Sequence, residues 1–357
     1  MTPRTFAVAV CATFLLASCS GDGGDPPPRS ATPSEPVAVT LLTHDSFDVS
    51  KSVVRAFERD SGIDLRIVPA GDAGQLVNRA ILTAGNPEGD VLFGVDSNLF
   101  PKAVDADVFE PYESPALRRV DERFQLDPTH AVTPVDHGDV CLNVDLGWFA
   151  ERDLAPPARL DDLVDPAYRG LTVVENPATS TPGLAFLLAT IARFGDDGWQ
   201  GFWQELRAND VLVVDGWEQA YYGEFSGAGG GEGDRPIVVS YATSPVAEVV
   251  FAEEPLDEAP TAAVTESCYR QVEFAGVLAG TEHPAEARRV IDFLLSRRFQ
   301  EDVPLRMFVF PVVDDAELPP EVERWSEEPE APLALPPERV AAERDAWVQA
   351  WTDLMFG

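Results

Sequence analysis

The chain is 357 residues long, 45% hydrophobic, and carries 61 Asp plus Glu against 26 Lys plus Arg, a formal net charge of −35. So large an acidic excess excludes nucleic acid as a partner, because holding phosphates requires a basic surface. After residue 18 no apolar run is long enough to span a bilayer. The roughly 320 residues beyond the N-terminal region suffice for two lobes or one large domain.

The chain begins with Arg4 and an apolar run over residues 6–16. A bilayer span needs about 20 apolar residues, so this run fits the h-region of a cleaved signal better than a membrane helix. It ends in Leu16-Ala17-Ser18-Cys19, which resembles the lipobox of bacterial lipoproteins. The resemblance implies a signal peptide over 1–18, lipidation of Cys19 as the new N-terminus, and an extracytoplasmic protein anchored to the outer face of the cytoplasmic membrane. Secretion with release is the rival. At about 0.8 kcal/mol per buried methylene, two or more acyl chains anchor stably where one does not. Residues 19–36, rich in Gly, Asp and Pro, read as a flexible tether.

From residue 37 short β-branched runs alternate with amphipathic segments: strand 37–43, helix 50–60, strand 63–69, helix 74–83, strand 90–95. This order predicts an α/β fold with a largely parallel sheet and helices on both faces. A second series follows Tyr168: strand 171–175, helices 181–194 and 198–208, strand 211–214, helix 216–225 and strand 237–241. Two α/β lobes are expected. Segments 139–144 and 267–274 between them are extended, apolar-rich and carry one cysteine each. If they are the two crossover strands, lobe 1 is discontinuous (37–139 and 269–315) and lobe 2 is 140–268. Residues 316–357 form a C-terminal segment, acidic and proline-rich until a docking helix begins near Pro337 with Val340, Trp347, Trp351 and Leu354 on one face.

With Cys11 lost in the signal and Cys19 lipidated, only Cys141 and Cys268 remain. An oxidising compartment predicts a disulfide between them, closing a loop of about 128 residues and contributing roughly 3–5 kcal/mol; two buried free cysteines are the alternative. The glycine-rich stretch 226–234 fits no Gly-x-Gly-x-x-Gly frame, no Walker lysine follows it, and it reads as a surface loop.

Ligands of open α/β sheets bind at the carboxyl ends of strands. Those ends carry His44-Asp45-Ser46-Phe47, Gly94-Val95-Asp96-Ser97-Asn98, Thr179-Ser180-Thr181-Pro182-Gly183, Gly216-Trp217-Glu218-Gln219-Ala220-Tyr221 and Ser240-Tyr241-Ala242-Thr243-Ser244-Pro245. The hydroxyls of 179–181 either cap a helix or, with its free N–H groups, cradle an anion. Trp217 and Tyr241 at successive strand ends, with Phe308 and Phe310 on the returning chain, suit a flat cationic ring through stacking and cation–π attraction of about 0.5–2 kcal/mol each.

These segments, with Pro134-Val135-Asp136-His137-Gly138 and Gln271-Val272-Glu273, resemble in their shared order the thiamine-binding proteins of bacterial ABC uptake systems. The resemblance covers nearly the whole chain after the signal. It implies a type II periplasmic-binding-protein fold, two lobes closing on ligand, and a monomer that delivers thiamine or a thiamine phosphate to an ABC permease. It implies further that Trp217 and Tyr241 stack on or edge the thiamine rings, that Thr179, Ser180 and Thr181 with Asp72 meet the hydroxyethyl or phosphate end, and that Asp45 or Asp96 faces the cation. Tyr221 fits the family's pattern, whereas His44, His137 and Phe308 depart from it: the family often has Tyr at the first two and Trp at the third.

The competing binding function is ferric ion, with Tyr221-Tyr222 and His44 as candidate ligands. Catalysis finds no support: there is no Gly-x-Ser-x-Gly elbow, no His-Glu-x-x-His helix, and no histidine pair at ligand spacing. No cofactor and no resident metal are expected.

Overall fold

The computed structural model describes residues 36–229, 231 and 233–357. The expected signal, Cys19 and all of the tether but Pro36 lie outside them. Strands form where β-branched and large apolar residues cluster: β1 (Val37–Thr43), β2 (Ile63–Pro69), β3 (Val91–Asp96), β4 (Phe109–Glu110), β5 (Thr133–Asp145), β6 (Thr172–Glu175), β7 (Leu212–Val214), β8 (Ile237–Tyr241), β9 (Thr261–Leu278) and β10 (Phe310–Pro311). The helices are α1 (Lys51–Ser61), α2 (Ala73–Leu82), α3 (Phe100–Asp105), α4 (Leu146–Glu151), α5 (Thr181–Ala208), α6 (Ser244–Val250), α7 (Pro284–Leu294), α8 (Arg297–Gln300), α9 (Val303–Arg306), α10 (Pro320–Trp325) and α11 (Pro337–Phe356).

One continuous sheet runs β2-β1-β3-β9-β5-β8-β6-β7, with β10 added to β5 and β4 to β9. Its two ends are parallel, β1 with β2 and β3, and β6 with β7 and β8. Its middle is antiparallel, through β3–β9, β9–β5 and β5–β8. The expected parallel sheets are therefore two halves fused through a central ribbon. The crossover segments are much longer than their apolar stretches suggest, because β5 and β9 bury polar residues such as Asp136, Asp139 and Gln271 among the apolar ones. The expected boundaries at 139 and 269 fall inside these strands, and 36–357 packs as one unit.

Two helices expected over 181–208 lie in register as α5, broken at Gly195, whose φ of 69° no helix accommodates. The helix expected over 216–225 narrows to a π-helical turn, Gln219–Glu224. That wider turn sends Tyr221 inward, 1% exposed, and leaves Tyr222 46% exposed. Helix α11 buries Val340, Trp347 and Trp351, and Trp351 meets Trp203 of α5 edge to face at 5.4 Å. Its buried Arg344 donates to the carbonyl of Asn98, so one helix touches both halves of the molecule.

Cys141 and Cys268 are joined, fully buried, across the place where the β5–β9 register shifts between Val140 and Leu142. The bond fastens the central ribbon at its weakest rung and closes 127 residues of sequence separation. Replacing both cysteines by alanine is expected to lower stability by about 2–5 kcal/mol in denaturant titration; a variant within 0.5 kcal/mol of the parent contradicts that role.

Candidate functional site

The carboxyl ends of the strands from both halves converge on a cleft enclosing about 700 Å³ of space, open solvent at its mouth included. One wall carries His44 and Ser46 after β1, Asp72 and Ala73 at the start of α2, and Glu273 of β9. The facing wall carries Thr181 at the start of α5, Trp217, Tyr221 and Tyr222 after β7, and Tyr241 with Ser244 after β8. Met307, Phe308 and Val309 close the rim where the chain returns to β10. No Lys or Arg is among the lining residues.

The aromatic wall is held in place by polar contacts. Trp217 stacks on Tyr221 with ring centroids 5.1 Å apart at 19°, and Tyr222 meets its edge at 5.5 Å and 80°. Trp217 Nε1 donates to Ser240 Oγ at 2.9 Å, and the Tyr221 hydroxyl donates to Glu248 Oε1 at 2.8 Å. The Tyr241 hydroxyl donates to Gln271 Oε1 at 3.0 Å. Phe308 has φ of 55°, an outlier for a bulky side chain, and its carbonyl accepts from the Thr243 hydroxyl. A strained backbone held by a hydrogen bond thus presents a ring at the pocket rim.

Asp72 links the two walls. Its Oδ2 accepts from the Trp217 N–H at 3.1 Å, while Oδ1 has no partner. Burial raises this carboxyl to about 6, and the nearby N–H groups of Trp217, Gly74 and Thr181 with the Ser180 hydroxyl pull it back down. The contact requires two glycines: a Cβ on Gly74 lies 2.6 Å from the Thr179 carbonyl oxygen, and one on Gly216 lies 3.2 Å from Asp72 Oδ2.

The structure brings His44, Asp72, Thr181, Trp217, Tyr221, Tyr241 and Phe308 to the pocket wall and leaves four other candidate residues off it. Asp45 is exposed, and its Oδ1 accepts from Gly71 N at 3.0 Å, tying the loops that follow β1 and β2 together. Asp96 is fully buried and accepts from Asn98 Nδ2 at 2.9 Å and Gln271 Nε2 at 3.0 Å. Thr179 spends its hydroxyl on the Asp215 carbonyl at 2.7 Å, and Ser180 is buried beneath the surface with its hydroxyl near the Asp72 carboxyl. His137 is core, stacked between Phe124 at 4.5 Å and Phe310 at 5.3 Å.

The acid that does reach the pocket beside Asp72 is Glu273, 7% exposed, with His44 Nε2 at 3.8 Å from its Oε1. Burial lowers His44 to about 4, so it is neutral near pH 7 and does not offset the acids. Burial raises the Glu273 carboxyl, with Asp96 and Asp72 adding to the rise. The segment Gln271-Val272-Glu273 signals Glu273 only weakly, because its orientation depends on the β9 register. Ser46 and Ser244 lie in the strand-end segments singled out above and Tyr222 was a candidate ferric ligand, but none was assigned to the thiamine site; Met307 and Val309 carried no signal, since they enter the pocket through a loop placed by packing. As a whole, the site offers stacked rings, two carboxyl groups and a few hydroxyls, a chemistry that suits a flat cation.

The sequence pattern of the family described as bacterial extracellular solute-binding protein matches residues 86–328. The thiamine-binding periplasmic protein of Salmonella typhimurium is 32% identical over 324 residues, 88% of this chain and 92% of that protein. That of Brucella suis is 31% identical over 327 residues, 88% of this chain and 90% of its own. A solved periplasmic thiamin binding protein superposes with a TM-score of 0.78 at 29% identity, covering 92% of this chain and 99% of that one. Iron-bound HitA from Pseudomonas aeruginosa, at 20% identity and a TM-score of 0.70 over 89% and 99%, shares the fold.

A Cβ added at Gly74 would press on the Thr179 carbonyl oxygen of the facing half, so Gly74→Ala is expected to wedge the two apart. Small-angle scattering should show a larger radius of gyration and melting a loss of about 1–3 kcal/mol. A variant indistinguishable from the parent in both would mean that this contact tolerates a methyl group.

Proposed function

The chain belongs to the bacterial extracellular solute-binding proteins, and from that premise we propose that it captures thiamine or a thiamine phosphate outside the cytoplasmic membrane and hands it to an ABC permease. The observation that carries this reading is the pocket itself, ringed by Trp217, Tyr221, Tyr222, Tyr241 and Phe308, bearing Asp72 and Glu273, and lined by no Lys or Arg. A thiazolium carries a fixed positive charge on a flat ring. Each favourable ring face contributes about 0.5–2 kcal/mol, and the carboxyl groups set the sign of the charge admitted. Thr181 and the N–H groups at the starts of α2 and α5 receive the hydroxyethyl or phosphate end.

Two lobes divide along the central ribbon, and bending of β5 and β9 opens and closes the cleft. Ligand contacts made only in the closed form shift that equilibrium, and the closed form is what the permease reads. The protein works as a monomer held by lipid on Cys19, with the following segment as its tether. The ferric-ion reading loses its main ligand, because the Tyr221 hydroxyl is committed to Glu248 and the ring face to Trp217.

Two measurements test this. Thiamine should quench tryptophan fluorescence saturably, and Trp217→Ala should weaken binding at least about tenfold, on the order of 1.4 kcal/mol; equal titrations for both proteins would mean that Trp217 only packs. Cys19→Ala should move the protein from the membrane fraction to the soluble fraction of cells, and unchanged fractionation would remove the lipid anchor from the account.

A further inference from the structure

We propose that Asp136 and Glu273 hold one proton between them in the free protein and that a cationic ring entering the pocket expels it, so that capture exchanges a cation for a proton. This rests on the reading that the ligand carries a fixed positive charge.

The argument starts from the register of the central ribbon. Glu273 on β9 is the cross-strand partner of Asp96 on β3 and of Asp136 on β5. Three carboxyl groups therefore share one rung of adjacent strands, where side chains directly opposite lie about 4.5–5.5 Å apart and like charges repel. Their surroundings differ. Asp96 is met by four donors: Asn98 N at 3.1 Å, Asn98 Nδ2 at 2.9 Å, Leu99 N at 2.9 Å and Gln271 Nε2 at 3.0 Å. Asp136 is fully buried and neither of its oxygens has a donor. A bare buried carboxylate is costly, and the group within reach of Asp136 is Glu273. Two carboxylates cannot hydrogen-bond unless one keeps a proton, so the pair holds it, and burial with the neighbouring charge pushes Asp136 well above the usual carboxylate range.

Among the described residues nothing else around the pair supplies a counter-charge. From the end of β1 it faces His44, which burial keeps neutral; from β3, Asp96; from β8, Tyr241, whose hydroxyl is given to Gln271; from the start of α2, Asp72. β10 contributes Phe310 and Pro311, which do not titrate. The one Arg or Lys on β5 or β9 is Arg270, and it is bound to Asp139 and Glu328. Glu273 lines the pocket, so a cation seated there supplies the missing positive charge. The carboxyl O–H bond then breaks heterolytically, the oxygen keeps the electron pair, and water at the pocket mouth carries the proton to the buffer. The pair goes from one negative charge to two, balanced by the ligand.

The sign of the pH dependence follows. The ligand prefers the deprotonated pair, so affinity rises with pH while the free pair still holds its proton, by up to roughly tenfold per unit, and levels off once it has ionised. Titration calorimetry of the purified protein with thiamine, in buffers of different ionisation enthalpy at about pH 6, 7 and 8, counts the protons. Release of about half to one proton per thiamine is expected at the lower pH values. In Asp136→Asn the amide donates to Glu273 and the pair has no proton to expel, so at pH 7 and above, where Asp72 is largely ionised, heats agree between buffers and affinity is flat with pH. Glu273→Gln should likewise abolish release, with weaker binding. Asp72→Asn should retain release, because Asp72 lies outside the pair. Wild-type heats that agree across buffers, or an Asp136→Asn variant that still releases a proton at pH 7 and above, overturn the proposal. Thiamine binding without buffer dependence sinks this inference alone, whereas absence of any binding sinks the ligand reading as well.

Discussion

The antiparallel pairing of β5 with β9 is the constraint on which the rest of the molecule depends. Each strand is buried for most of its length, and each carries side chains that belong to neither an apolar core nor a solvated face. Such strands survive only in the middle of a sheet, where the backbone groups are paired and most polar side chains find a partner. Asp139 finds Arg270, Gln271 finds Asp96 and Tyr241, and Ser267 donates to the Val264 carbonyl. Because the ribbon joins two parallel half-sheets, it sets where both sets of strand ends point. They point into one cleft.

Within that cleft, two kinds of attraction divide the labour. A unit charge about 4 Å from an opposite one, at an effective dielectric constant near 20, is worth about 4 kcal/mol before desolvation is counted, whereas each ring face adds about 0.5–2 kcal/mol. The carboxyl groups therefore decide the sign of the charge admitted, and the rings decide its shape. Their burial is what makes the acids effective, and it is also what makes them reluctant to ionise unaccompanied. The net charge of −35 is a separate matter, since most of it lies on exposed side chains screened by salt.

Much of this was readable in the chain. The β1 and β2 strands stand at 37–43 and 63–69 as their β-branched runs indicate, and the pocket receives Trp217, Tyr221 and Tyr241 from strand ends, where aromatics were singled out. What could not be read is what depends on register and on loops. Asp45 and Asp96 sit at strand ends beside His44 and Ser97, and nothing local says that one ties two loops while the other is walled in by four donors. Glu273 and Asp136 lie 137 residues apart, in segments whose polar residues hide their strand character. The extent of β9 was hidden in the same way, because Glu266, Ser267 and Arg270 interrupt the alternation that marks a strand.

Recognition and closure are one event in this geometry. Trp217 is fixed from its own half by the bond from Nε1 to Ser240 and from the opposite half by the bond from its N–H to Asp72. If the halves part, the bond to Asp72 is lost and the indole keeps Ser240 and its packing on Tyr221 and Tyr222. Gly74 and Gly216 permit the approach that makes the bond, and Phe308 is held in a strained conformation at the rim by Thr243. A ring that settles against Trp217 thus favours the arrangement in which Asp72 holds it. A ligand can shift an equilibrium only by its differential affinity for the two states. On the proposed reading that difference arises because Asp72 reaches Trp217 only when the cleft is shut.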